Sequence, residues 1–165
     1  MSGISVRHAV LADLDALAPL FDRYRQFQGQ ASDLAAARAF LRSRLDHGES
    51  VVFIASAGER PVGFAQLYPS FSSVTLARVF LLNDLFVEAT ARRSGVASRL
   101  LAALEAHAWS LDATRVTLFV ARPNTTGQAL YASRGWTKDD AFFVYHRYRG
   151  DKLDPAAGGR AEETR

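Results

Sequence analysis

The residues Arg92-Arg93-Ser94-Gly95-Val96-Ala97-Ser98 have the types and spacing to hold a phosphate group. They read as a short loop that opens a helix. The first turn of a helix carries backbone N–H groups with no partner inside the helix, and the aligned peptide dipoles make that end electropositive. Gly95 and Ala97 leave no bulk to keep a ligand off those donors, and Arg92 and Arg93 add charge beside them. Arg-x-x-Gly-x-Ala is a short pattern, however, and a tightly packed turn has the same residues. Just upstream, Asp84 stands in the apolar run Leu81-Leu82-Asn83-Asp84-Leu85-Phe86-Val87. A carboxylate buried there is expected to be functional or paired, and a structural salt bridge to an arginine would also account for it.

The elements around these residues give the turn a context. Val74 to Val87 is too long and too rich in β-formers for a helix and reads as a strand leading into the turn. From Ser94 to about Ser110, Val96, Ala97, Leu100, Leu101, Leu104 and Ala108 recur at helical spacing. A strand, Arg115 to Val120, follows, then Asn124, then a helix ending in Ala129-Leu130-Tyr131-Ala132-Ser133-Arg134-Gly135-Trp136. The order is strand, phosphate-type turn, helix, strand, Asn, and a short helix with Tyr, Gly and an aromatic.

That order and those residues resemble the GNAT superfamily of acetyl-coenzyme A dependent N-acetyltransferases, from about Val51 to Arg147. Within it, Leu81 to Val87 and Leu118-Phe119-Val120-Ala121-Arg122-Pro123-Asn124 are similar to the diamine and polyamine acetyltransferase branch. The resemblance implies a sheet splayed between two central strands, with acetyl-CoA in the cleft. Its pyrophosphate would lie on Arg92 to Ser98. Its pantetheine would pair with the strand Leu85-Phe86-Val87 through backbone groups of Leu85 and Val87, and Asn124 would hydrogen-bond the arm. Asn124 is equally a common helix N-cap. Tyr131 matches the residue that protonates the departing thiolate. A phenol, titrating near 10, is protonated at neutral pH and suits that task, although a helical tyrosine also packs in cores. Asp84 is the candidate base or ammonium contact. The position of Asn83 is often Glu in polyamine acetyltransferases, and an amide there cannot act as a base. Tyr24, Phe27, Gln28, Tyr68, Phe71 and Asn83 are expected to line the acceptor pocket, with aromatic faces suited to an ammonium. For each aromatic, plain packing is the competing reading.

Composition excludes other classes. The chain has 165 residues, no cysteine and a net charge of +3, which rules out disulfides and thiolate chemistry. His8, His47, His107 and His146 fit no metal spacing, so no metal is expected. The arginines are scattered rather than gathered in a stripe, which argues against nucleic acid as a partner. No apolar run is long enough for a membrane span and no secretory layout opens the chain, so a soluble cytoplasmic protein is expected.

The remaining elements complete one domain over residues 1–149, with 150–165 expected to be a disordered tail. Ile4 to His8 reads as a strand, Leu11 to Gln28 as an amphipathic helix, and Ser32 as the N-cap of a helix that stops at Gly48. Val51 to Ser56 and Val62 to Tyr68 form a hairpin, Pro69 to Ser73 a loop, and Phe142 to His146 the last strand. The fold class is therefore α+β (mixed α/β), a mostly antiparallel sheet of about six or seven strands with helices on both faces. Many members of the superfamily are dimers, and Phe142 and Phe143 could serve such a contact. The leading expectation is acetyl transfer to a small primary amine. Protein or peptide N-acetylation and a catalytically silent acyl-CoA-binding module are the alternatives.

Overall fold

Five strands line up in chain order in one sheet: Ile4–His8 (β1), Val51–Ala57 (β2), Arg60–Ser72 (β3), Ala77–Val87 (β4) and Arg115–Leu118 (β5). They are seen in a computed structural model that describes residues 3–149. The first three pairings are antiparallel and β4–β5 is parallel, because a helix carries the chain back between those two strands. The helices are Leu14–Phe27 (α1), entered through a 3-10 turn at Leu11–Asp13, Leu34–Asp46 (α2), Val96–Ser110 (α3) and Thr125–Ser133 (α4).

Alternation along the strands builds a core on each face of the sheet. Phe53, Ala55, Ala65, Leu67, Phe80 and Leu82 pack against Val96, Leu100, Leu101 and Leu104 of α3. On the opposite face, Val52, Ile54, Phe64 and Phe86 meet Leu14, Leu17, Phe21 and Leu41 of α1 and α2. The expected α+β class with helices on both faces is what the chain adopts.

Four local expectations need correction. Phe142 to His146 is not a strand; the run has strand composition, but no strand of the described chain pairs with it. The described sheet therefore has five strands rather than six or seven. Pro69 to Ser73 is not a loop, because β3 runs to Ser72 with Pro69 opposite Phe80. β2 ends opposite Leu67, so Pro69 lies where one edge of β3 is already free and a missing N–H is tolerated. The N-cap of α2 is Asp33, whose side chain accepts from the Ala36 N–H at 2.9 Å, while the Ser32 hydroxyl donates instead to Asp22. The tail expected over 150–165 lies outside the described residues.

Candidate active site

A single extra residue in β4 sets up the site. Gln66 of β3 faces Asp84, but the next residue, Leu67, faces Leu82, so Asn83 is bulged out of the ladder. Before the bulge, Phe80 and Leu82 point to the α3 face; after it, Asp84 and Phe86 point to the α1–α2 face. Asp84 thereby lands beside Gln66 rather than in the α3 core.

Asp84 is 4% exposed and Gln66 0%. The Gln66 amide Nε2 donates to Asp84 Oδ2 at 2.6 Å, the Asn83 Nδ2 donates to Oδ1 at 3.0 Å, and the Ser50 hydroxyl donates to Gln66 Oε1 at 2.8 Å. No cation among the described residues acts on this carboxylate. Burial pushes the Asp84 carboxyl above its ordinary value, and hydrogen bonds from Gln66, Tyr24 and Asn83 draw it part of the way back. The structural salt bridge held open as an alternative is absent among the described residues.

Three tyrosines converge here. The Tyr24 hydroxyl donates to the Asn83 carbonyl at 3.4 Å; burial raises its pKa, and Asp84 and, more weakly, Tyr131 add to the effect. Tyr68 is pushed up to about 12 by burial and then by Asp84. Tyr131 is raised by burial, and its ring lies 5.8 Å from that of Trp136, whose indole N–H is held by Glu105 at 2.8 Å. All three phenols remain protonated at neutral pH, so each is a proton donor rather than a base.

A backbone edge lies open beside this cluster. Pairing of β4 with β5 ends at Leu82 opposite Leu118, whereas β4 continues to Val87. The Glu88 N–H turns toward β3, bonding the Val62 carbonyl at 2.9 Å, so Leu85 and Val87 direct their polar groups to the unpaired side. The strand leads into the Arg92–Ser98 turn. Gly95 caps α3 with φ +80°, a left-handed conformation suited to glycine, and no side chain among the described residues caps the helix there. The backbone N–H groups of Val96, Ala97 and Ser98 find no acceptor within the described chain. Val96 anchors the turn by packing in the core, while Arg93 and Ser94 are exposed. Free donors at a helix start, and an unpaired strand edge leading to it, suit an extended ligand with a phosphate end.

The structure separates the remaining expected residues. Tyr24, Tyr68 and Asn83 join Asp84, and Gln28 lies close enough to Tyr24 to act on its hydroxyl. Phe27 belongs instead to the phosphate-type turn, with the Arg92 guanidinium 5.5 Å above its ring, while Arg92 Nε donates to the Val87 carbonyl at 3.1 Å. Phe71 lies apart, near the β3–β4 turn, under the guanidinium of Arg78 at 4.9 Å. Its place beyond Tyr68 on β3 puts its side chain on the other face. Phe86 turns its side chain into the core with Phe64 and Tyr24. Asn124 caps α4, its Oδ1 accepting from the Gly127 N–H at 2.9 Å. Ser50 and Gln66 were missed by sequence reasoning. The available signal was a glutamine inside Val62-Gly63-Phe64-Ala65-Gln66-Leu67, the same anomaly as Asp84 in its own run. Among the described residues no cluster of three metal-ligating side chains occurs.

Comparison with known proteins gives this geometry a family. The model of the "Acetyltransferase (GNAT) family" matches residues 14–136. An "uncharacterized N-acetyltransferase YhfO" of Bacillus subtilis is 44% identical over 142 residues, covering 86% of this chain and 95% of that protein. A solved "probable acetyltransferase" superposes with a TM-score of 0.85 at 41% identity, covering 90% of this chain and 99% of its own. An aminoglycoside N-acetyltransferase, AAC(6')-Iy, solved in complex with CoA shares the fold at 21% identity and a TM-score of 0.75, covering 89% and 96%. The chain belongs to the GNAT family of acetyltransferases.

Proposed function

We propose that the protein moves an acetyl group from acetyl-CoA to the primary amine of a small molecule, by direct attack with both substrates bound. The supporting observation is a buried carboxylate, Asp84, held by neutral donors alone and placed where β4 runs past its pairing with β5. Such a carboxylate is a partner for an ammonium, and the rings of Tyr24 and Tyr68 suit the same charge. The finer placement, a diamine or polyamine acceptor, rests on the resemblance of Leu81 to Val87. A cytoplasmic location is part of the same reading, and a chain without cysteine has no disulfide that would call for an oxidising compartment.

In this reading, the first-turn N–H groups of α3 hold the pyrophosphate, with Arg92 and Arg93 adding charge beside it. The backbone of Leu85 and Val87 pairs with the pantetheine. Asp84 holds the acceptor ammonium and takes its proton, directly or through water. The amine nitrogen then bonds to the thioester carbonyl carbon as the C–S bond breaks. Tyr131 gives its proton to the leaving thiolate and regains one from the acylated nitrogen. The net products are an amide, free thiol and one proton.

Thiol release from acetyl-CoA across amines, diamines, polyamines and peptide N-termini tests the proposal, comparing wild type with Tyr131→Phe and Asp84→Ala. A small amine that raises release, with a sharp fall in both variants, is the expected result. Release with peptides alone would replace it with protein N-acetylation. Acetyl-CoA binding with no release on any amine would leave a silent binding module.

We further propose a homodimer, supported by the bare run Phe142, Phe143, Val144 and Tyr145. All four side chains are exposed, and large apolar side chains grouped at a surface are a mark of association.

A further inference from the structure

We propose that Ser50 and Gln66 are positioning residues for the proposed amine site, presenting the Asp84 carboxylate to the acceptor through neutral donors alone. The inference rests on the reading of Asp84 as the ammonium contact.

The argument begins with direction. A glutamine amide has one accepting and one donating end. The Asp84 carboxylate only accepts, which sets the donating end, Nε2, against its Oδ2 at 2.6 Å and leaves Oε1 to accept from the Ser50 hydroxyl at 2.8 Å. The reverse orientation would set Oε1 against a carboxylate oxygen, acceptor against acceptor. Both side chains are buried, so water does not compete for the amide. The row crosses three neighbouring stretches of the sheet: Ser50 just before β2, Gln66 on β3 and Asp84 on β4.

Charge makes the arrangement specific. An arginine or lysine in place of Gln66 would neutralise Asp84 and remove its reason to bind a cation. An apolar residue would leave Oδ2 unpaired in the core. The amide avoids both, ordering the carboxylate while leaving its charge to be matched by the acceptor. It also cannot ionise near neutral pH, so the row orients without conducting. A proton accepted by Asp84 must leave on the side of Tyr24 and Asn83. The titratable groups facing Asp84 are Tyr24 from α1 and Tyr68 from β3, with Tyr131 of α4 acting on Tyr24. Arg44 and Glu49 act on Tyr68 and are paired with each other.

Two readouts test this on the full chain. One is the pH profile of kcat/KM for the amine; the other is the carbon-13 NMR titration of the Asp84 carboxyl, which needs no turnover. In Gln66→Met the acid limb and the carboxyl midpoint should move to higher pH by about one unit, because a hydrogen bond to the charged form is lost. KM for acetyl-CoA should stay near the wild-type value. Ser50→Ala should move both the same way by less, and Ser50→Thr should restore them. Ser50→Ala also serves where Gln66→Met fails to fold. If the residues only fill space, melting temperature changes while limb and midpoint stay fixed, and the inference is overturned. A midpoint that moves in a protein showing no amine-dependent thiol release would instead sink the proposed function and keep the positioning of Asp84.

Discussion

Asp84 carries a thermodynamic liability that its surroundings only partly relieve. Burial favours its protonated form, so the folded chain holds that proton more tightly than the unfolded chain does. Folding stability from this group is then full at acid pH. It is lost as pH rises from the ordinary carboxylate range through the raised folded value. Calorimetric melting of wild type and Asp84→Asn between pH 4 and pH 7 should show the variant gaining relative to wild type as pH rises. At Tyr131, removing the hydroxyl should lower kcat by about 10²-fold or more and leave KM for acetyl-CoA near its starting value, the pattern of a group that acts on proton transfer alone. Steady-state kinetics of Tyr131→Phe checks this. Asp84 was legible in the sequence because a charge inside an apolar run is conspicuous. Gln66 escaped because a neutral amide in a strand is unremarkable until its partners are known. Phe27 and Phe71 were placed by their elements, the first helix and a loop after β3, and neither element says which face a side chain takes; the expected loop is itself strand to Ser72.

At the scale of elements, two close approaches tie the strands to α3. A Cβ on Gly63 would stand 2.7 Å from the Phe86 carbonyl and 3.3 Å from a Val96 methyl, so β3, β4 and the start of α3 meet at a point with room for hydrogen only. Because a backbone atom is the nearest obstacle, Gly63→Ala should cost about 1–3 kcal/mol and lower the melting temperature. It should also raise KM for acetyl-CoA, since Val87 and Val96 flank the proposed cofactor path. On the α3 side, the His107 ring lies 4.7 Å from that of His8 and 5.8 Å from that of Phe80, and its Nε2 is buried without a partner among the described residues. Burial, with help from His8 and Arg78, lowers its pKa. The unfolded chain therefore takes up the proton first, and stability should fall as pH drops from the ordinary histidine range through the lower folded value. Thermal melts between pH 7.5 and 5.5 should show that fall reduced in His107→Phe. The strands, helices and turn around the proposed site were legible because period and capping residues are local properties. Phe142 to His146 was not, since a strand exists only through a partner.

For the whole molecule, that unpaired run sets the clearest expectation. Phe142 and Phe143 are 80% and 88% exposed, and among the described residues β5 pairs on one side only. A second copy covering this region would bury apolar surface twice over through one two-fold contact. Sedimentation of wild type should therefore show a dimer that Phe142→Ser with Phe143→Ser weakens at least tenfold in Kd. A wild type that stays monomeric at high concentration would remove the dimer from the proposal. Class and layering of the fold were legible from the alternation of strand and helix patterns, whereas an association between copies has no period to read.

The bulge at Asn83 has a consequence of another kind. Facing along β4 works as an odd–even code: even numbers up to Leu82 belong to one core, and even numbers from Asp84 onward to the other. Pressing Asn83 back into a regular ladder would leave every downstream side chain chemically intact but delivered to the wrong address: Asp84 would be sent into the α3 core, and Leu85 and Val87 would be turned toward α1. Removing Asn83 altogether would make Leu82 and Asp84 neighbours, still opposite Leu67 and Gln66, and every address would be kept. Lineages of this chain that lack position 83 should then keep Asp84 against Gln66 and lose only the amide that donates to its Oδ1.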